Sequence, residues 1–442
     1  MRLLKAGSRI LFSRIWQVLA NAVAVLVIAK TLGPTGQGYF SLTVAVAMLL
    51  GAALGGGMGL AAVPPLRRKQ VPIVRMLTAQ LFWAALMGVV MAVLAALVGG
   101  GRAAEVLASR LGWESGMGWL VACAGLGLLT FDIFAYDLLA RGRLVVGAAV
   151  NGYRASAYLL LIGALGLMGQ LTLGRAIGVF ALSQAGGAVA MLVILIREIR
   201  HPRNENHGTG DESVPGVGEK DFQLHDRSLF GLIAYNMRHG WVGQISAVAY
   251  FLLLRLDQGL LEYFRGAAEV GIYSLAVYMG EMLWLLPGAL TPILVHTSAT
   301  SATDPDRDRT ALRAVQLGIL ITFAVAVPLY LLAEPLLGFL AGGQYQASGA
   351  ALKALLPGIV VFAPGAVLAG DFIGRGKPHW NTQASVLTVV VNIAVGLWFI
   401  PRYGAVGAAY ASSIAYFCGS VVMVLRFRQV TGLSIFNGPR GS

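Results

Sequence analysis

Residues 76–101 read MLTAQLFWAALMGVVMAVLAALVGGG, a stretch of 26 residues without one charged side chain. A helix needs about 20 consecutive apolar residues to cross the hydrocarbon core of a bilayer. Comparable uncharged runs recur along the chain, at residues 31–66, 155–174, 176–196, 282–303, 314–333, 378–401 and 403–425. The sequence therefore predicts an all-α, polytopic membrane protein. Further apolar stretches that contain isolated charged residues bring the predicted number of transmembrane helices to about twelve.

The composition supports this prediction. Of the 442 residues, 57% are hydrophobic and 12% are charged, whereas roughly a quarter of the residues in a soluble domain are charged. This balance excludes a soluble enzyme and a disordered chain. The net charge of +13 would indicate nucleic-acid binding in a soluble protein, but it is typical of membrane proteins whose cytoplasmic loops accumulate Lys and Arg. We therefore expect no nucleic-acid partner.

The positive charges also predict the topology. With twelve spans and a cytoplasmic N-terminus, most of the 33 Lys and Arg residues fall on the cytoplasmic side, so we expect both termini there. Residues 201–227, HPRNENHGTGDESVPGVGEKDFQLHDR, are polar and rich in Gly and charge, which is typical of a linker. It divides the chain into an N-terminal six-helix lobe, residues 1–200, and a C-terminal six-helix lobe, residues 228–430.

The two halves resemble each other in sequence. Residues 38–42, GYFSL, correspond to residues 271–275, GIYSL, and residues 137–143, DLLARGR, correspond to residues 371–377, DFIGRGK. Matches in the same order at near-constant spacing indicate a duplication. Because six helices per half leave both halves in the same orientation, we expect a parallel repeat in which two lobes surround a central cavity.

Several motifs carry a resemblance to a known family. Residues 30–42, KTLGPTGQGYFSL, resemble a turn of the Wzx-like flippases of polysaccharide and O-antigen repeat units. Residues 255–276, RLDQGLLEYFRGAAEVGIYSLA, resemble the same family, as do RGKP at 375–378 and YGAVGAA at 403–409. The resemblance places the chain near the multidrug/oligosaccharidyl-lipid/polysaccharide (MOP) flippase superfamily. It covers nearly the whole chain, although none of the motifs is catalytic.

The resemblance implies a function. Such flippases move undecaprenyl-pyrophosphate-linked oligosaccharides across the bacterial inner membrane, so we expect transport by alternating access rather than an enzymatic reaction. The expected partners are the lipid-linked oligosaccharide, the membrane lipids, a coupling proton or sodium ion, and a polysaccharide polymerase. No cofactor and no metal site are expected.

Charged side chains inside the helices are the first candidates for the binding site, because each costs at least ~2.5–3.5 kcal/mol on insertion scales. We predict that Arg14, Arg154 and Arg255 hold the pyrophosphate, since Arg offers planar, bidentate donors that keep their charge. Two alternatives stay open: Arg14 snorkels to the cytoplasmic surface, and Arg255 pairs with a carboxylate of another helix. Four polar residues are predicted to contact sugar hydroxyls: Asn21, Asn151, Tyr158 and Asn392.

Two acids are the candidates for ion coupling. Asp257 and Glu281 lie deepest in the predicted helices, where an acid can bind a coupling proton or sodium ion. The alternative is that they are counter-ions of Arg255 or Arg154. At two helix ends, Asp137 with Arg141 and Asp371 with Arg375 have the i, i+4 spacing of an ion pair within one helix.

Two other functions are weighed against the flippase. A membrane glycosyltransferase or polysaccharide polymerase needs a sizeable loop on the reaction side, whereas the longest predicted periplasmic loop covers only residues 100–115. A multidrug antiporter of the same superfamily would need an acid-rich cavity for cationic drugs, whereas here the predicted cavity contains buried Arg residues. Assays of sugar transfer and of drug resistance distinguish these functions from the flippase.

Overall fold

The computed structural model describes residues 2–201, 228–288, 290, 291, 294, 298, 304–377 and 379–435. The predicted linker at 201–227 lies outside the described residues, except for its first position. The predicted lobes, residues 1–200 and 228–430, therefore stay a prediction.

The described residues are almost entirely helical, and the prediction of an all-α fold is confirmed. The helices are α1 (Arg2–Leu54), α2 (Met58–Arg67), α3 (Ile73–Val98), α4 (Gly101–Leu111), α5 (Met117–Ala140), α6 (Leu144–Leu167), α7 (Leu173–Arg200), α8 (Leu229–Arg265), α9 (Ala267–Glu281), α10 (Leu285–Gly288), α11 (Asp304–Ala341), α12 (Gln346–Gly374) and α13 (His379–Thr431). Within this part of the chain, eight helical segments are long and apolar enough to cross a membrane.

The two longest helices, α1 and α13, each contain a bend. Each has 53 residues, far more than one crossing needs. In α1 the backbone leaves helical geometry at Gly33 (φ 69°), which precedes Pro34. In α13 it does so at Gly404 (φ 55°), after Pro401. Glycine adopts a positive φ without a steric penalty, so each long helix turns at the position where the sequence predicts a boundary between two spans.

Within the uncharged run at residues 31–66, the sequence predicts a continuous helix over residues 38–62, but the structure shows a break in it. The break covers residues 55–57, and Gly56 and Gly57 have φ values of 61° and 70°. Backbone polar groups freed within a membrane need partners inside the protein. The indole Nε1 of Trp83 donates to the Leu54 carbonyl oxygen (3.1 Å), and the Gly57 amide donates to Gln244 Oε1 (2.8 Å). These two side chains stabilise the break.

A second difference lies at residues 100–115, which were predicted to be a loop. Residues 101–111 form helix α4. It ends at Gly112, whose φ of 62° is the left-handed conformation common after a helix C-terminus. Only 11 residues long, α4 is too short to cross a membrane.

The chain divides into two compact units. Unit 1 comprises Met1–Leu32 and Tyr39–Val248. A buried cluster in this unit brings together apolar side chains of α2, α3, α5, α6 and α7, including Met58, Met91, Leu129 and Met191. Glycines let α2 approach α5 closely, because a Cβ added at Gly59 would lie 2.7 Å from the Tyr136 ring.

Unit 2 comprises Gly33–Gly38 and Ala249–Ser442. The short segment 33–38 packs against α9 so closely that only glycine fits at the contact. A Cβ added at Gly38 would lie 1.8 Å from the Ala267 carbonyl oxygen, and one added at Gly271 would lie 1.8 Å from the Pro34 carbonyl oxygen. Gly38 and Gly271 are the matching glycines of the sequence repeat, so the repeat brings two backbone segments into direct contact.

We expect Gly271→Ala to lower the stability of unit 2, because the new methyl group collides with backbone that has no room to move. Overpacking of this kind costs about 1–3 kcal/mol. The matched control is Gly259→Ala in α8, where a Cβ would meet no atom within 4 Å. Thermal unfolding of the purified variants in detergent measures the difference, and equal melting temperatures would contradict the packing described here.

Candidate functional site

Arg154 is the best-defined cation in unit 1. It lies on α6 and is half-buried. Among the described residues, neutral amides accept its hydrogen bonds: Nη1 donates to Gln184 Oε1 of α7, and Nη2 donates to Asn151 Oδ1 (2.9 Å). Asn151 lies three residues before Arg154, so both side chains are on one face of the helix. The guanidinium also lies over the Phe131 ring, 4.9 Å from its centroid.

The neighbouring helices leave space for the Arg154 side chain. Among the described residues, no carboxylate forms a hydrogen bond with its guanidinium. Gly187 of α7 leaves the space that the stem of Arg154 fills, since a Cβ there would lie 2.7 Å from Arg154 Cδ. Asp132 of α5 attracts Arg154 electrostatically. Arg154 Nε is buried and has no hydrogen-bond partner among the described residues. The guanidinium thus keeps one N–H group that can donate a hydrogen bond to a ligand oxygen.

The two predicted site residues on α1, Arg14 and Asn21, do not belong to the cluster around Arg154. Arg14 is exposed and Asn21 is half-buried, and neither forms a hydrogen bond with a described residue. Helix α1 is nevertheless joined to α6 on a neighbouring face, where Trp16 Nε1 donates to Ser156 Oγ (2.8 Å). Arg14 therefore lies on the helix that packs beside Arg154, but it does not contact Arg154.

Tyr158 occupies the apolar core of unit 1. It is 6% exposed, and its ring packs edge-on against Phe180, with centroids 6.2 Å apart. Ile28, Phe40 and Ile162 belong to the same cluster. This position favours packing, and the predicted contact with a sugar stays a prediction.

In unit 2, Arg255 and Glu281 form a bidentate ion pair. Arg255 Nη1 lies 2.6 Å from Glu281 Oε1, and Nη2 lies 3.0 Å from Oε2. The two side chains are 12% and 20% exposed, and the guanidinium lies 5.7 Å from the centre of the Tyr278 ring. This is the arrangement left open as the alternative for both residues, in which each acts as the other's counter-ion.

Asp257 and Asn392 meet through Ser412 in a buried network. Asp257 accepts hydrogen bonds from the Tyr273 hydroxyl, from Ser412 Oγ (2.8 Å) and from the backbone N–H of Gln258 (2.8 Å). Asn392 Nδ2 donates to Ser412 Oγ (3.1 Å). Asp257 and Asn392 are each 2% exposed. Three donors therefore point at the Asp257 carboxyl group, so its oxygens are satisfied without a cation in direct hydrogen-bond contact.

The bend in α13 creates this network. Asn392 and Ser412 belong to the two arms of one long helix, and the turn at Gly404 brings them face to face. The bend itself is held by Glu269 of α9, whose Oε2 accepts from the Ala405 amide (2.8 Å). A carboxylate at the start of a helical arm also interacts favourably with the helix dipole.

Sequence reasoning missed several members of these clusters. It selected charged residues and four polar residues predicted to contact sugars, and Gln184, Tyr273 and Ser412 were not among them. Gln184 was detectable as the one amide inside the uncharged run 176–196. The predicted pair of Asp371 and Arg375 is confirmed, with Arg375 Nε 2.6 Å from Asp371 Oδ2. The corresponding pair in the first half is wrong, because Asp137 accepts from Gln80 and not from Arg141.

Comparison with known proteins gives partial sequence relatives. No protein-family model matches the chain. Over 199 residues, 42% of the chain, it is 26% identical to the probable flippase AglR of Haloferax volcanii, covering 40% of that protein. Over 174 residues, 39% of the chain, it is 22% identical to the capsular polysaccharide biosynthesis protein CapF of Staphylococcus aureus, covering 44% of it. The match thus spans less than half the length of either relative.

Solved structures match over nearly the whole chain. The lipid II flippase MurJ, in an inward closed conformation, superposes with a TM-score of 0.73 at 13% identity, covering 96% of this chain and 87% of MurJ. A multidrug resistance MATE family transporter of the MOP superfamily superposes with a TM-score of 0.67 at 15% identity, covering 94% of each chain. The chain has the fold of these two transporters, which agrees with the fold that the resemblance to the MOP superfamily implies.

We expect Arg255→Ala to destabilise unit 2 strongly, because it leaves the Glu281 carboxylate without its cation. Removing one partner of a buried ion pair costs about 3–5 kcal/mol. The double variant with Arg255→Met and Glu281→Leu removes both charges and should recover most of the loss. Thermal unfolding of Arg255→Met, of Glu281→Leu and of the double variant gives the coupling, and additive losses would contradict a direct pair.

Proposed function

We propose that this protein is a flippase that moves undecaprenyl-pyrophosphate-linked oligosaccharide across the bacterial inner membrane by ion-coupled alternating access. The proposal is supported by the fold of MOP-superfamily transporters and by the names of the partial relatives, one a probable flippase and one a capsular polysaccharide biosynthesis protein. The surroundings of the predicted site residues support an anionic, lipid-linked substrate.

The observation that carries the proposal is the state of Arg154. It is a half-buried cation within a span, and its hydrogen bonds go to the neutral amides of Gln184 and Asn151. Its Nε has no partner within the described part of the chain. Asp132 attracts this guanidinium but forms no hydrogen bond with it, and in a low-dielectric region such a cation also attracts a phosphate strongly. The diphosphate of a lipid-linked sugar supplies oxygens that can accept from Nε and from the two amide-bound nitrogens after small shifts.

Arg14 and Arg255 would contribute differently. Arg14 is exposed on α1 and can approach an anion that reaches unit 1. Arg255 is held by Glu281, so a diphosphate reaches it only by replacing that carboxylate. Binding at Arg255 is thus an exchange of one anion for another, which makes it suited to signalling that substrate has arrived.

The sugar contacts are proposed for Asn21 and Asn151. Both are half-buried amides on α1 and α6, and an amide both donates to and accepts from a hydroxyl group. Tyr158 and Asn392 are 6% and 2% exposed, and Asn392 already donates to Ser412. Their burial favours a structural role in their units, and their predicted contacts with a sugar stay predictions.

The acids of unit 2 are proposed to carry the coupling ion. Arg255 interacts electrostatically with both Asp257 and Glu281, so one cation faces two acids, whose ionised forms together carry one negative charge in excess. A proton or a sodium ion balances the remaining negative charge. When the diphosphate displaces Glu281 from Arg255, the freed carboxylate becomes the stronger cation site, and substrate binding and ion binding favour each other.

The protein is proposed to lie in the inner membrane with both termini in the cytoplasm, as the distribution of Lys and Arg indicates. Undecaprenyl-linked repeat units are delivered on the cytoplasmic face and used on the other, so a polysaccharide polymerase on the far side is the proposed partner. Residues 2–201 and 228–435 would then be surrounded by lipid where their apolar side chains are exposed.

We expect Arg154→Ala to abolish complementation of a flippase-deficient strain while the protein still inserts into the membrane. Arg154→Lys should retain part of the activity, because it keeps the charge but loses the planar donors. The matched control is Arg175→Ala, an exposed Arg at the start of α7 that should complement fully. Surface polysaccharide and membrane protein levels are measured together. Full complementation by Arg154→Ala would remove Arg154 from the site.

Transport by purified protein in liposomes separates the flippase from a multidrug antiporter of the same superfamily. A flippase moves a fluorescent lipid-linked oligosaccharide from one leaflet to the other, and Arg154→Ala abolishes this movement. An antiporter moves a cationic dye against an ion gradient, and removing a cation from its site would not impair that transport.

We expect Glu281→Gln to uncouple transport from the ion gradient, because a neutral amide cannot take up a cation after leaving Arg255. Movement of lipid-linked oligosaccharide is compared with and without a proton or sodium gradient across the liposome membrane. The wild type should respond to one of the two gradients and the variant to neither. Glu105→Gln on α4, an exposed position, is the control. An unchanged response of Glu281→Gln would exclude this acid from coupling.

A further inference from the structure

Another buried acid, Asp137 of unit 1, has no part in the proposed binding of the diphosphate or of the coupling ion. It belongs to the last turn of α5 and is completely buried. Its Oδ1 accepts a hydrogen bond from Nε2 of Gln80 of α3, which is also completely buried (3.0 Å). Asp137 Oδ2 and Gln80 Oε1 have no hydrogen-bond partner among the described residues. Two acceptor oxygens of adjacent planar groups thus lack a donor in this part of the chain.

The repeat provides an internal comparison. Asp371 occupies the corresponding position of the second half and is equally buried, but it is fully compensated. It accepts from Arg375 Nε (2.6 Å) and from Ser298 Oγ, and Arg375 in turn pairs with Asp308 (2.6 Å). In the first half the corresponding cation, Arg141, donates instead to the Glu198 carbonyl oxygen (3.2 Å). The same sequence pattern therefore gives Asp137 no cation from its own motif.

Within the described chain, no neighbouring charge replaces that cation. On α5 itself Asp132 lies a turn away and interacts with Arg154, and on α6 Arg154 is engaged by amides. On α7, Glu198 pairs with Arg143 (3.1 Å). The remaining ionisable groups of the packed helices form no hydrogen bond with Asp137 among the described residues: Arg67 of α2, Arg75 of α3, Tyr136 of α5, Tyr153 and Tyr158 of α6, Arg175, Arg197 and Arg200 of α7, and His239 of α8.

An ionised carboxylate in this position would be a buried charge without compensation, which is strongly unfavourable. A proton on Oδ2 removes that charge. It also supplies a donor beside two oxygens that have none among the described residues, because a protonated carboxyl group carries one O–H donor. A metal cation fits less well, since hard cations take about six oxygen ligands or more, whereas the described residues supply two unpaired oxygens from Asp137 and Gln80.

We propose that Asp137 and Gln80 form a proton-binding site in unit 1, in which Asp137 takes up one proton from water and Gln80 orients the neutral acid. The proton adds to Oδ2 and no other bond changes. Proton binding stabilises the conformation in which α3 and α5 pack as described, and release accompanies entry of water between them. That this proton is a coupling ion rests on the proposed transport function, whereas the protonation itself does not.

Infrared spectroscopy of the purified protein tests the protonation. A protonated carboxyl group has a C=O stretching band distinct from the bands of a carboxylate. At neutral pH we expect this band in the wild type, its loss in Asp137→Asn, and its retention in Asp306→Asn, which alters an exposed acid of α11. Because Asp137→Asn is isosteric and neutral, it should fold like the protein with the protonated acid.

A second variant makes the assignment specific to the pair. Gln80→Leu removes the hydrogen bond to the acid, so the band should stay but move to higher frequency. Identical spectra for the wild type and Asp137→Asn would overturn the proposal. So would loss of the wild-type band on adding sodium ions at constant pH, which would indicate a metal cation at the site.

Transport in liposomes tests the coupling role. We expect a proton gradient to accelerate wild-type movement of lipid-linked oligosaccharide and to have no effect on Asp137→Asn, while movement without a gradient persists in the variant. Equal acceleration in both would overturn the coupling role. If the wild type moves no oligosaccharide at all, the proposed function fails, and the infrared result still decides whether Asp137 is protonated.

Discussion

An ionised side chain inside an apolar span has to be compensated, because it costs at least ~2.5–3.5 kcal/mol even on insertion scales. The arrangement of the polar residues in both units follows from this constraint. Arg255 is compensated by an acid of the next helix, and Asp257 by three donors. Among the described residues, Arg154 has neutral amides as its hydrogen-bond partners, so it is the cation most able to gain from an arriving anion.

The two halves compensate the buried acid of their shared sequence pattern in different ways. In the second half, Asp371 and Arg375 satisfy each other and fix the end of α12. In the first half the Arg of the same motif binds a carbonyl oxygen, and Asp137 is left to a neutral amide. Duplication followed by such a change converts a structural ion pair into a group that can exchange a proton. The second half thus keeps a structural ion pair at this position, whereas the first half has an acid that can bind a proton.

Most of the fold could be predicted because the length of an apolar run limits what a membrane helix can do. The irregular parts could not. Residues 55–57 lie inside a long apolar run, and their break depends on Trp83 and Gln244, which are distant in sequence. Helix α4 begins at the last of three consecutive glycines, which are typical of a loop and not of a helix start. Hydropathy reports the mean character of a window, whereas these features depend on single tertiary hydrogen bonds.

The site was predicted only in part, for a related reason. Charge selected Arg154, Arg255 and Glu281, but it did not indicate which partner each would choose. The pair of Arg255 and Glu281 spans 26 residues and two helices, so no local spacing indicates it. Gln184 has no charge and therefore no signal in a search for ionisable groups. Which residues lie in the membrane can be derived from one sequence, but the matching of donors to acceptors requires the folded chain.

The break between α1 and α2 gives the molecule an optical probe of its own. The Trp83 indole is 9% exposed, its ring lies beside Gly56, and its N–H is bound to the Leu54 carbonyl. Indole emission depends on the polarity around the ring and on the hydrogen bond of its nitrogen. Any rearrangement that straightens or widens this break would therefore change the fluorescence of this native tryptophan, without a label being attached.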